Sequence, residues 1–146
     1  MVPDRRKERA FCTVITSNYL PFARTLFQSI RVFDPTVSCH ALVVDLILKP
    51  EEKNFQIIAL EEFDQIPLVK NLSQKYFGDS NALRWSLKSV LMIQLLKTGR
   101  YDQVFFVDPD LYFYSDFTFL YKELGDHTFL LSPHWGCMDP HNSKVY

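Results

Sequence analysis

Asp108 and Asp110 are the two residues whose types and spacing most directly suggest chemistry. They sit in "QVFFVDPDLYFYSDF", residues 103–117, where an apolar run breaks into two aspartates flanking a proline and then resumes with aromatics. If the segment stays extended, positions two apart point the same way, so the two carboxylates face one point. Pro109 donates no backbone hydrogen bond and fixes its own φ, which keeps the pair from curling into a helix. Two carboxylates held together repel, and a hard divalent cation such as Mg²⁺ or Mn²⁺ relieves that repulsion with oxygen ligands. Magnesium completes its shell with water and substrate phosphates, so the pattern predicts a phosphate-bearing substrate. The plainer reading is that Asp-Pro initiates a turn and Asp110 is solvated. An EF-hand is excluded, because Tyr112, Phe113 and Phe119 stand where that loop needs an oxygen ligand, a glycine and a glutamate.

The elements before this pair would have to position it. "AFCTVITS" (10–17) reads as a buried strand. A helix follows, with Asn18 as its cap, Pro21 in its first turn and Phe22, Leu26, Phe27, Ile30 and Phe33 at helical spacing, ended by Asp34-Pro35. "CHALVVDLIL" (39–48) is a second strand with Asp45 near its end, and "FQIIAL" (55–60) a third. A short amphipathic helix over 68–77 is closed by Gly78-Asp79-Ser80, which also caps the next one. The long segment from Asn81 to Thr98 carries a broad apolar stripe stopped by Gly99 and reads as a mostly buried helix. "QVFFV" (103–107), apolar on both faces, predicts a central parallel strand sandwiched between helices. Strands alternating with helices give an α/β fold, a Rossmann-like parallel sheet with flanking helices. Ligands of such sheets bind beyond the carboxyl ends of the strands, where Asp108 and Asp110 fall.

Composition narrows the partners. The chain has 146 residues, 47% hydrophobic and 23% charged, which suits one folded domain rather than disorder. A net charge of -1 supplies no global field toward nucleic acid or an anionic membrane, so a small molecule or a protein is the expected partner. No run of about 18 apolar residues suggests a transmembrane segment, and a cytoplasmic protein is expected. Cys12, Cys39 and Cys137 are odd in number and widely spaced, and read as plain reduced thiols. Trp85 and Trp135 read as core or interface residues rather than sugar platforms, and His134, after an apolar stretch taken as a further strand, as a hydrogen-bonded structural group rather than a metal ligand. The aromatic content, 15% with 13 Phe, predicts thick packing layers and self-association through exposed aromatic surface, above all from Phe113 to Tyr121.

The series "AFCTVITSNYLPFARTL", "HALVVDL", "LKSVLMIQLLKTGRYDQVFFVDPDLYFYSDF" and "LLSPH" resembles the nucleotide-sugar-binding half of a GT-A glycosyltransferase. The resemblance implies that Asp110 binds a divalent metal, Mn²⁺ or Mg²⁺, and that Asp108 reaches the metal, the ribose or both. It implies that Thr16, Asn18 and Tyr19 hold the nucleoside where the first strand meets the first helix. Asp45 would take a base or ribose contact, and Lys88, with Arg84 one turn earlier, would face the diphosphate of a UDP-sugar. Each has a plainer alternative: Thr16 and Asn18 as helix caps, Tyr19 as a packing residue, Asp45 as structural, Lys88 as a solvated helix cation. Residues 1–9 would be a charged lead and 10–146 the donor-binding domain, incomplete at its C-terminus and therefore slow at transfer alone. Two other functions use the same residues, a non-catalytic nucleotide-binding fragment and a Mg²⁺-dependent phosphohydrolase with Asp108 as covalent phosphate acceptor.

Overall fold

The structure, a computed structural model, describes residues 8–125 and 127–131. Its elements in order are β1 (Arg9–Ile15), α1 (Leu20–Phe33), β2 (Ser38–Val43), β3 (Gln56–Ala59), α2 (Pro67–Lys75), α3 (Ser80–Ser86), α4 (Lys88–Lys97), β4 (Gln103–Phe106) and α5 (Phe119–Leu124). Short 3-10 turns at Ser17–Tyr19 and Leu60–Phe63 complete them. The four strands form one parallel sheet in the order β3-β2-β1-β4, an α/β fold of Rossmann-like arrangement. The strand order reverses at β1, with β2 on one side and β4 on the other.

Alternation along β1 builds two cores. Ala10, Cys12 and Val14 face α2, α3 and α4 through Val69, Leu83, Leu87, Leu91 and Leu95. Phe11 and Ile15 face α1 through Ala23, Leu26, Phe27 and Ile30. The Phe11 ring stacks on Phe105 at 5.1 Å and meets Phe117 edge-on at 5.2 Å. Offset and edge geometries of this kind suit the aromatic quadrupole. Cys12 and Cys39 are free and buried, and burial pushes the Cys39 thiol up to about 11, so both are inert thiols at neutral pH. Cys137, His134 and Trp135 lie outside the described residues.

Several expectations are corrected. β2 stops at Val43, and Ile47 and Leu48 beyond it are 94% and 84% exposed. The cause is its neighbour: β1 ends at Ile15 and turns into α1, so β2 has no partner for more ladder bonds. Asn18 does not cap α1, which starts from Tyr19 with no side-chain cap. Phe22, at 52% exposure, lies off the Ala23-Leu26-Phe27-Ile30 stripe. The helix expected over 81–98 is divided at Leu87, where φ is -91° and ψ is -5°. Ser86 donates its hydroxyl to the Ala82 carbonyl at 2.8 Å, a back-bond that bends helices.

β4 is an edge strand among the described residues rather than a central one. Its two apolar faces are accounted for by layers: Val104 and Phe106 pack toward α4, Phe105 and Val107 toward the α1 side. No strand forms over Phe129–Leu131, which are exposed, and the four-stranded sheet takes nothing from them. The aromatic stretch after β4 does not stand open as a whole. Phe117 is 3% exposed, and Phe113 and Tyr121 pack with it on the Phe11 face, while Tyr112, Tyr114 and Phe119 stay exposed. As expected, Asp79 caps α3 by accepting from the Ala82 N–H at 3.0 Å, and Gly99, at φ +67°, ends α4 in the left-handed conformation that glycine adopts without strain.

Candidate functional site

The reversal at β1 opens a crevice between the exits of β1 and β4. Beyond β4, Val107 donates its N–H to the Cys12 carbonyl at 3.0 Å, and the chain then leaves the sheet. It does not stay extended. The Leu111 N–H reaches the Asp108 carbonyl at 3.2 Å, closing a β-turn with Pro109 at its second position and aspartate at its first. Those are the positions where proline's fixed φ and aspartate are favoured. The turn reading of Asp-Pro-Asp is therefore correct, and it brings the carboxylates together by another route than strand alternation. Pro109 is buried, and Asp108 and Asp110 are both exposed and line one cleft.

The turn is fastened from beneath. Ser29, buried on α1, donates its hydroxyl to the Leu26 carbonyl at 2.6 Å and accepts the Phe113 N–H at 3.1 Å. The segment after the turn is thus bonded to α1 and packed through Phe113 and Phe117 against the sheet. Sequence reasoning missed Ser29; its signal was a small polar residue within the buried stripe of an amphipathic helix.

The cleft, about 240 Å³, is lined by Tyr19, Arg84, Trp85, Lys88, Asp108, Pro109 and Asp110. Lys88 Nζ lies 2.8 Å from Asp108 Oδ1 and 4.8 Å from the Phe106 ring centroid. Arg84, one turn earlier, donates to the Asn81 side chain at 3.1 Å, and its guanidinium lies 5.3 Å from the Tyr19 ring and 5.7 Å from the Trp85 ring. Trp85 is 60% exposed, which removes the core half of its core-or-interface reading. Two anionic and two cationic side chains thus share one small polar cleft. Such a site can hold a cation on its carboxylates and an anion on its guanidinium and ammonium groups.

The other expected site residues gather beside the cleft. Thr16, buried, donates its hydroxyl to Asn18 Oδ1. Asp45 accepts the Ser17 N–H at 2.6 Å and the Ser17 hydroxyl at 3.3 Å, tying the exit of β2 to the exit of β1. Thr16, Asn18 and Asp45 are not among the residues lining the cleft; Tyr19, next in the chain, connects the two groups. A second cleft of about 300 Å³, largely apolar, is lined by Pro21, Phe22, Thr25, Pro109, Asp110, Leu111 and Tyr112 and shares the Asp turn with the first.

The donor set that the turn offers is all oxygen, which suits Mg²⁺ or Mn²⁺ rather than a softer ion. Among the described residues no group of three or more His, Cys, Asp or Glu side chains converges, so a cation here would take further ligands from water and substrate. Among the described residues no helix is long and apolar enough to cross a membrane.

No family model and no solved structure matches the chain. The chain is similar to the Bacillus subtilis (strain 168) protein "Uncharacterized protein YfnF", 25% identical over 129 residues. That match covers 84% of this chain and 42% of the relative, so the chain spans less than half the length of the curated relative it matches.

Proposed function

We propose that this chain is the donor-binding part of a metal-dependent glycosyltransferase of the GT-A type. It would hold a nucleoside-diphosphate sugar, with UDP as the nucleotide, for transfer of the sugar to an acceptor hydroxyl. A cytoplasmic location goes with that reading. The observation that carries it is the shared cleft at the β1–β4 reversal, where Asp108 and Asp110 face Lys88 and Arg84.

The demand of this reaction is electrostatic. Breaking the bond between the sugar and the diphosphate leaves charge on the departing oxygens, and groups aimed at that charge lower the barrier. Asp108 and Asp110 would hold the divalent ion, which supplies Lewis-acid neutralisation of the leaving group when bound. Lys88 and Arg84 add fixed positive charge from the helix side. Removing one such contact commonly costs about 2.7–4 kcal/mol in the barrier. Lys88 pairs with Asp108 at 2.8 Å; with the nucleotide bound, Asp108 would hold the ion and Lys88 would meet a phosphate oxygen.

Calorimetric titration of UDP, with Mn²⁺ and in metal-free buffer, tests the proposal. Binding at least tenfold tighter with Mn²⁺ is expected. Equal affinity in the two buffers contradicts it.

A further inference from the structure

Arg84 and Lys88 are the two cations of the polar cleft, and they are not equivalent. Lys88 is paired with Asp108 at 2.8 Å, whereas Arg84, among the described residues, forms no salt bridge. What surrounds its guanidinium is aromatic. The Tyr19 ring lies 5.3 Å away and the Trp85 ring 5.7 Å away, both within the roughly 6 Å over which a ring face attracts a cation. Its Nε donates to Asn81 Oδ1 at 3.1 Å, which leaves the N–H donors of both Nη groups for a ligand.

The two rings come from different elements. Tyr19 ends the 3-10 turn after β1, where its N–H reaches the Thr16 carbonyl at 2.9 Å and its ring packs on Phe22 at 5.2 Å. Trp85 stands on α3 and is 60% exposed. Arg84 thus spans from α3 to the exit of β1, its head held by Tyr19, Trp85 and Asn81. A long cationic side chain loses rotamer freedom when it grips an anion, and one already held loses less, so the rings raise affinity without touching the ligand. The same contact accounts for an exposed tryptophan on the wall of a polar cleft. We infer that Tyr19 and Trp85 are positioning residues that hold the Arg84 guanidinium ready for the donor's diphosphate. This rests on the donor-binding reading above.

The test is calorimetric titration of UDP with Mn²⁺ against the full chain and its Arg84→Met, Trp85→Ala, Trp85→Phe and Tyr19→Leu variants, with the Trp85→Ala and Tyr19→Leu changes repeated on Arg84→Met. Circular dichroism checks each fold, and Trp85, exposed on α3, decides the outcome if Tyr19→Leu does not fold. Arg84→Met should weaken UDP about tenfold. Trp85→Ala and Tyr19→Leu should each weaken it about two- to fivefold, the range of a cation–π contact at an exposed site, and Trp85→Phe should recover most of the loss. On the Arg84→Met background the ring substitutions should cost nothing further, because they act only through the guanidinium. A ring substitution that costs as much without Arg84 as with it would mean that the ring meets the nucleotide directly or shapes the cleft, and would overturn the inference. Unchanged affinity in Trp85→Ala and Tyr19→Leu would overturn it too. Either result, in a chain whose wild type binds UDP with Mn²⁺, removes the positioning role alone. A wild-type chain that does not bind UDP overturns the donor reading and this inference with it.

Discussion

Lys88 Nζ sits 2.8 Å from Asp108 Oδ1, joining the first residue of α4 to the turn that follows β4. The pair is half exposed, with side-chain exposures of 35% and 56%, so its contribution to stability is small. Both residues line the cleft, and on the proposed reading their charges would be taken up by the metal and the diphosphate.

Lys88→Met keeps most of the apolar stem and removes the cation. We expect folding stability within about 1 kcal/mol of wild type, UDP binding weakened at least tenfold, and uridine binding unchanged. Urea denaturation and paired titrations of UDP and uridine check this. Equal weakening of both ligands would assign Lys88 to the architecture of the cleft.

Ser29 carries the underside of the Asp turn. Ser29→Ala removes the acceptor of the Phe113 N–H and should destabilise the chain by about 1–3 kcal/mol. Because Asp108 and Asp110 precede the released segment, metal-dependent UDP binding should weaken as well, although Ser29 does not line the cleft. Chemical denaturation and calorimetry on the same preparation measure the two effects.

Leu91 of α4, the helix that begins at Lys88, is fully buried in the core against the sheet. Leu91→Ala should cost about 2–5 kcal/mol, the range for a large-to-small change with a residual cavity. A midpoint unchanged in urea would contradict the packing of α4 described above.

His40 sets a pH dependence unrelated to the cleft. It is 4% exposed, with Nε2 2.9 Å from the Tyr101 hydroxyl, and burial, followed by the charge of Arg100, pushes its pKa from 6.5 down to about 4. The unfolded chain therefore takes up the proton first. Stability from the neutral buried ring is fully present above pH 6.5 and is lost as pH falls toward 4, by about 3 kcal/mol at most. Denaturation at pH 7.5 and pH 5 should show the decline, and His40→Gln should flatten it.

The sequence made legible what depends on period and on local chemistry. The β1 run, the buried stripe of α1 and the cap at Asp79 follow from alternation, helical spacing and a side-chain acceptor, each contained within a few neighbouring residues. The carboxylates were visible because a polar pair interrupts an apolar run just after a strand. What was not legible depends on partners far along the chain. β2 ends where β1 turns away, a fact held by Ile15 and not by the residues of β2. Ser29 matters because Phe113, 84 residues on, needs an acceptor. Asp45 is engaged by Ser17, 28 residues earlier. Trp85 looks like core by type, and only the placement of α3 at the rim leaves it exposed. Of the two readings of Asp-Pro-Asp, extended pair and turn, the turn holds, because residue alternation does not carry past the end of β4, where ladder bonds no longer keep the chain straight.

The central claim is that the turn at Asp108–Leu111 holds a divalent cation together with a nucleoside diphosphate, and Asp110 is the residue on which it can be tested most directly. Asp110→Asn is nearly isosteric, so a lost function cannot be assigned to packing. Electron paramagnetic resonance of Mn²⁺, titrated with the chain in the presence of UDP, reports the free ion that remains. Wild type should deplete the free Mn²⁺ signal, and Asp110→Asn should leave it at least tenfold less depleted at equal concentration with an unchanged fold by circular dichroism. Equal depletion by the two proteins, or none by wild type, would contradict the account.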